Sequence, residues 1–150
     1  PAAPGPLALA WIFKASSTLD SMLGYRTGRL RWLGTAGARL DDLLTWLPCR
    51  LVMISLPLVS APWHRWSALM RAAEQDGAPD PSPNAGRSEA IYAHCAGVRL
   101  GGRNRYGATW VEKPLLAADQ PEPNRQAIET ILKLTIRLQL FWIVLLGLTQ

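Results

Sequence analysis

Cysteine occurs only twice in this 150-residue chain, and Cys49 and Cys95 sit in apolar surroundings without CxxC spacing. Neither a disulfide framework nor a zinc site is indicated, and both cysteines read as small buried hydrophobes. Acidic charge is also scarce, with 11 acidic residues against 16 basic ones for a net charge of +5. Lysine is rarer still, because 13 of the 16 cations are Arg, whose planar fork binds phosphate and carboxylate bidentately. The composition therefore favours an anionic partner. No basic segment, short apolar core and small-residue cleavage site follow one another at the start, so no leader is read there, and Pro1 in place of Met suggests a piece of a longer chain. No internal repeat is visible. With 49% hydrophobic and 18% charged residues, the chain is too apolar for disorder and is long enough for one ordinary domain.

Two long apolar runs stand out. LLTWLPCRLVMISLPLVSAP, Leu43 to Pro62, is interrupted only by Arg50 and two internal prolines, and ILKLTIRLQLFWIVLLGL begins the second run, about residues 131–149. Both approach the roughly 20 residues of a bilayer span. Lys133 and Arg137 lie four apart near the start of the second run, placed to snorkel to an interface while Phe141 to Leu148 lie in lipid. The first run also reads as a buried, kinked helix of a soluble domain, since a charge near mid-span costs roughly 2.5 to 3.5 kcal/mol on insertion scales. The expected fold is mainly α, a polytopic integral-membrane helical protein with a polar helix-loop region, about residues 63–130, between two apolar helices.

Within the polar region the pattern predicts a helix near Trp66 to Gln75, a Pro/Gly turn, and a helix near Ala85 to Ala96 stopped by Gly97. A basic turn or surface hairpin from Gly101 to Gly107 follows, then a short strand or extended segment from Trp110 to Leu116 ending at Pro114. The segment Ala117 to Arg125, with two prolines, reads as a solvated hinge.

Four polar blocks carry the candidate chemistry. In KASSTLDSMLGYRTGR, Lys14 to Arg29, helical spacing gathers Ile12, Ala15, Leu19, Met22 and Leu23 on one stripe. Lys14, Ser17, Thr18, Ser21 and Tyr25 fall on the opposite one, with Asp20 on the border. Hydroxyls beside a cation suit phosphate oxygens, although a wetted amphipathic helix has the same pattern. In GARLDDLLTW, Asp41 and Asp42 are expected at the start of the apolar helix, favoured by its dipole and within reach of Arg39. Hard carboxylate oxygens there also suit magnesium, which takes one or two protein ligands and fills the rest from phosphates.

In DPSPNAGRSEA the two prolines force an extended or turned path, and Asn84 is expected to cap the helix that follows. Ala85, Gly86 and Arg87 would then offer amides and a guanidinium to an anion. Glu89, in the first turn, suits the helix dipole. In LGGRNRYGAT the glycines and arginines suggest a phosphate loop, but Ala108, followed by Thr109, stands where a P-loop needs Lys. Arg103, Asn104 and Arg105 lack aromatic interleaving beyond Tyr106, which argues against nucleic acid as a partner. His94 and Cys95 point about 100° apart on their helix, so they make a poor joint metal site and His94 reads as an internally satisfied helix residue.

Taken in order, KASSTLDSMLGYR, ARLDDLLTWLPCRL, SPNAGRSEA and GVRLGGRNRYG resemble the CobD/CbiB family, the integral-membrane adenosylcobinamide-phosphate synthases of cobalamin (vitamin B12) biosynthesis. The resemblance runs from about Trp11 to the end of the chain and corresponds to the C-terminal portion of a longer, multi-pass protein of the cell membrane. It implies a ligase forming a C–N bond. With ATP and magnesium (Mg2+), it joins adenosylcobyric acid, a corrinoid, to an aminopropanol phosphate or a related amino-alcohol phosphate.

Carried onto this sequence, Lys14, Asp20, Ser21, Gly24, Tyr25 and Arg26 match the first motif; Arg39, Asp41, Asp42, Pro48 and Arg50 the second; Ser82, Pro83, Asn84, Gly86 and Glu89 the third; and Leu100, Gly101, Gly102 and Tyr106 the fourth. The implied catalytic residues are Asp20, Asp41, Asp42 and Glu89, with Asp41 and Asp42 on magnesium. Lys14, Ser21, Tyr25, Arg26, Arg39, Ser82, Asn84, Gly86, Gly101 and Gly102 would bind substrate or phosphate. Membrane lipid and the N-terminal part of the same protein are the implied partners. The chain departs from the family pattern at Asp80, where His is common, at Arg87-Ser88 in place of Trp-Pro, and at Thr45 in place of Asn. Two other readings stand beside it: a truncated, non-catalytic membrane protein holding a corrinoid or an anionic ligand, and a soluble interaction domain.

Overall fold

A computed structural model describes residues 5–23, 31–60 and 62–148; of Leu23, Arg31, Leu33 and Tyr106 it describes the backbone alone. The chain divides into two compact units, Pro1–Pro48 and Cys49–Gln150. The described residues are mainly helical, with one two-stranded sheet.

The first unit holds α1 (Pro6–Leu23) and the beginning of α2 (Arg31–Ser60). On α1 the foreseen apolar residues Ile12, Leu19 and Met22 are 51%, 50% and 70% exposed whereas Ser16 is 3% exposed. The greasy side is thus exposed along with Lys14, Thr18 and Ser21, and the residue of α1 that is buried is a serine, unlike an ordinary amphipathic helix in water. On α2, Gly37 lies against the α1 backbone at Asp20, where an added Cβ would come within 3.9 Å of the Asp20 Cα.

The position of α2 corrects the sequence reading. It starts at Arg31, well before Leu43, because glycine weakens a helix only by about 1 kcal/mol and Gly34 and Gly37 are carried inside it. Asp41 and Asp42 are therefore mid-helix residues, out of reach of a dipole effect confined to the first turn.

In the second unit a short 3₁₀ turn (Trp63–Arg65) leads from α2 into α3 (Trp66–Gly77), and α4 (Ala85–Ala96) ends at Gly97, left-handed at φ +65°. Gly77 and Gly86 let α3 and α4 touch: a Cβ on Gly77 would meet the Arg87 Cα and the Gly86 carbonyl at 2.6 Å. Leu56, Leu69, Ala73, Ala90, Ile91, Leu116, Leu134 and Leu138 form the core, where the alanines let the helices approach closely.

The glycines and arginines read as a turn or hairpin belong to β1 (Leu100–Tyr106), paired antiparallel with β2 (Thr109–Leu116). The register shifts at Gly101/Gly102, because Gly101 pairs with Leu115 and Gly102 with Lys113. Pro114 is the residue skipped, which is why a strand can run through a proline that has no N–H to donate.

The segment read as a solvated hinge is mostly exposed and irregular, but it is anchored at points. Ala117 is 1% exposed, the Arg99 amide donates to the Pro121 carbonyl at 2.8 Å, and Arg99 pairs with Glu122. These bonds fasten the segment to the base of the hairpin. Asn124 Oδ1 then caps α5 (Arg125–Gly147) by accepting from the Ala127 amide at 2.8 Å. Leu134 and Leu138 face the core, while Leu132, Ile136, Leu140 and Ile143 are exposed. Trp142 and Tyr92 place their polar tips on Ser55 and Thr135, each at 3.2 Å. Two helices, Gly34–Ser60 and Arg125–Gly147, are long and apolar enough to cross a membrane, both with mean hydropathy 1.6.

Candidate functional site

In the first unit, α1 and α2 bring Asp20 toward Asp41. Asp20 and Asp42 are the carboxylates close enough to Asp41 for direct charge repulsion. Asp41 Oδ1 is buried without a hydrogen-bond partner among the described residues, as is Ser16 Oγ. A solvent-hidden carboxylate oxygen left unpaired is costly unless something else binds it. Asp41 and Asp42, adjacent on a helix, project about 100° apart, so the carboxylate facing Asp41 across the helix pair is Asp20.

The remaining first-block residues are less concentrated. Lys14 and Ser21 are exposed, and Ser21 and Thr18 donate their hydroxyls to the Ser17 and Lys14 carbonyls at 2.8 Å. Arg39 is exposed and does not satisfy the buried Asp41 oxygen. Gly24, Tyr25 and Arg26 lie outside the described residues.

No group of three or more His, Cys, Asp or Glu stands ready to enclose a metal among the described residues. An orphaned carboxylate oxygen with a second carboxylate nearby does fit magnesium, which keeps waters and phosphate oxygens in most of its positions.

In the second unit, the turn before α4 is built from its own side chains. Asp80 Oδ1 accepts from the Ser82 amide at 2.9 Å, and Ser82 Oγ accepts from the Asn84 and Ala85 amides at 3.3 and 3.2 Å. Ser82 thus does the work expected of Asn84, whose side chain makes no cap hydrogen bond. Asn84 is 5% exposed, and Arg50 Nη1 donates to its Oδ1 at 2.5 Å. The Asn84 carbonyl accepts from the Ser88 amide at 3.0 Å and from Cys49 Sγ at 3.4 Å.

Arg87 does not stand beside the turn as an open anion ligand. Its Nε and Nη2 donate to the two Glu74 oxygens at 2.8 and 2.6 Å, and Nη1 donates to the Pro83 carbonyl at 2.9 Å. These bonds hold the Glu74 carboxyl below the ordinary range and push the Arg87 guanidinium above its own. Gly86 is set by packing, since a Cβ there would collide with the Asp80 side chain and the Gly77 carbonyl.

Glu89 is the fifth residue of α4, beyond its first turn, which corrects the dipole reading; it pairs instead with Lys113 of β2 at 3.6 Å. Gly101 and Gly102 have φ of +82° and +72°, and a Cβ on Gly101 would strike the Pro114 carbonyl, so both have a backbone reason to be glycine. They line, with Arg99, Arg103 and Lys113, a groove of about 700 Å³. Arg103 covers the Trp110 ring at 4.7 Å. His94 is satisfied as foreseen, its Nε2 lying 2.8 Å from Asp76 Oδ2. Burial raises the Cys95 thiol above its usual range, against the opposing pull of Ser60 and Arg65.

Sequence reasoning passed over Ser16, Asp76 and Lys113. Asp76 also accepts from the Ala117 amide at 2.8 Å, so its partners stand 18 and 41 residues away and leave no local pattern.

The CobD/Cbib protein family model matches residues 2–135. Among curated proteins, the chain is 46% identical over 151 residues to the cobalamin biosynthesis protein CobD of Synechocystis sp., covering 97% of this chain and 41% of that protein. It is 38% identical to CobD of Yersinia enterocolitica, covering 97% and 45%, and 36% identical to cobalamin biosynthesis protein CbiB of Salmonella arizonae, covering 91% and 44%. The chain therefore spans less than half the length of these relatives. No solved structure matches it. With the family pattern extending over both units and all four polar blocks inside it, this chain belongs to the CobD/CbiB family of cobalamin biosynthesis proteins.

Proposed function

We propose that the chain is part of a membrane-embedded adenosylcobinamide-phosphate synthase, which joins a carboxylate of adenosylcobyric acid to an amino-alcohol phosphate as an amide. The observation that carries this reading is the family match over residues 2–135, which takes in all four polar blocks in order. A multi-pass location in the cell membrane is supported by the two apolar helices and by the outward-facing Ile12, Leu19, Met22, Leu132, Ile136 and Leu140. Lipid, together with the rest of a longer chain, would cover them.

Amide formation from a free carboxylate needs activation, which ATP supplies while magnesium offsets the phosphate charge. Asp41 is the residue we place on magnesium, with Asp20 across the helix pair and Asp42 beside it. Lys14, Arg26 and Arg39 supply cations for phosphates, and the Ser82–Gly86 turn holds an anionic oxygen of substrate.

The test is turnover by the full-length protein in membranes, supplied with adenosylcobyric acid, aminopropanol phosphate, ATP and magnesium. The expected result is the mass of adenosylcobinamide phosphate, formed only when all four are present. Binding of the corrinoid without product under those conditions would replace the ligase with the non-catalytic reading.

A further inference from the structure

Asn84 occupies the cap position of α4, yet its side chain leaves the helix uncapped. Ser82 takes the free amides instead, at 3.3 Å from Asn84 and 3.2 Å from Ala85. That releases the Asn84 amide group to face α2, where Arg50 Nη1 donates to its Oδ1 at 2.5 Å. The neighbouring residue, Cys49, directs its thiol to the Asn84 carbonyl at 3.4 Å. Two consecutive α2 residues therefore hold one residue of the turn by side chain and by main chain, from directions about 100° apart. At 5% exposure Asn84 has little water to compete for these bonds.

A cation inside an apolar helix is expensive, and Ser82 already accepts the Asn84 and Ala85 amides without it. Arg87, the cation nearest in sequence, is committed to Glu74 and the Pro83 carbonyl. We infer that Arg50 is the positioning residue of the Ser82–Gly86 turn: through Asn84 it fixes the direction in which the Gly86 amide faces, the Ala85 amide being bonded to Ser82. This deepens the ligase reading and rests on it for the claim that the turn serves a substrate.

The test uses the full-length protein in lipid nanodiscs, with Arg50→Met, Asn84→Leu, the double variant, Arg50→Lys and Asn84→Asp. Amide hydrogen exchange at residues 84, 85 and 88 reads the clamp directly. Exchange should speed up at least tenfold in either single apolar variant and no further in the double. Asn84→Asp, which keeps an oxygen for the guanidinium, should keep exchange slow. If Arg50→Met does not fold, Arg50→Lys takes its place, with faster exchange expected because the ammonium lacks the planar fork.

Kinetics then separate positioning from mere stability. At equal folded fraction, Arg50→Met should lower kcat/KM at least tenfold, and adding Asn84→Leu should cost nothing more. Unchanged exchange, losses that multiply in the double variant, or a lower melting temperature with unaltered kcat/KM would each overturn the inference. If the parent protein makes no product, the ligase reading fails, while hydrogen exchange still decides the clamp.

Discussion

Asp76 Oδ2 lies 2.8 Å from His94 Nε2, and the same oxygen accepts the amide of Ala117 at 2.8 Å. One carboxylate at the end of α3 thereby ties α4 to the root of the hairpin, at a buried residue held at φ +52°. Asp76→Ala should leave the Ala117 amide unsatisfied and cost about 1–3 kcal/mol. Asp76→Asn, which keeps an acceptor oxygen, should cost less. Chemical unfolding of the two variants checks the order.

Gly101 and Gly107 both have positive φ, at +82° and +61°, but only Gly101 is crowded, by the Pro114 carbonyl. Gly101→Ala should destabilise by about 1–3 kcal/mol and loosen the hairpin. Gly107→Asn should stay within about 0.5 kcal/mol, because Asn tolerates the left-handed region and the space is open. Thermal unfolding, with hydrogen exchange across residues 100–116, reads both.

The Glu74–Arg87 pair predicts a pH dependence with a defined sign. Arg87 lowers the Glu74 carboxyl below its usual 4.5, so the folded state binds its proton less readily than the unfolded state does. The contribution is complete above that value and is lost as pH falls through the lower folded one. Melting temperatures from about pH 6 down to about pH 3 should fall less steeply in Glu74→Gln than in the parent. Equal slopes would contradict the assignment.

Asp41→Asn tests the metal assignment in two ways. Removing the charge from a half-buried carboxylate whose Oδ1 is buried without a hydrogen-bond partner among the described residues should leave metal-free stability equal or higher. Magnesium affinity should fall roughly ten- to a hundredfold. Calorimetric magnesium titration of the full-length protein with an ATP analogue measures one effect and thermal unfolding the other. Undiminished affinity would remove Asp41 from the metal.

The helices of the second unit were legible because their signals are local. Gly97 stops α4 where a left-handed residue is needed, and the apolar repeat of α5 lies within one segment. The ends were less legible: α2 runs back through Gly34 and Gly37 to Arg31, and tertiary packing outweighs their modest propensity cost. The hairpin was half visible, since positive-φ glycines mark a bulge and a turn with the same letter.

The sequence by itself determined the family, through four polar blocks in order, and the two apolar helices, through runs whose length no other residue interrupts for long. Only the tertiary structure decided which partners those blocks take. It gave Arg87 to Glu74, Glu89 to Lys113, the capping of α4 to Ser82, and Asn84 to Arg50, 34 residues upstream. The physical reason is range: helix and turn preferences are set by neighbours a few residues away, whereas a hydrogen bond between side chains depends on which segments the core brings together.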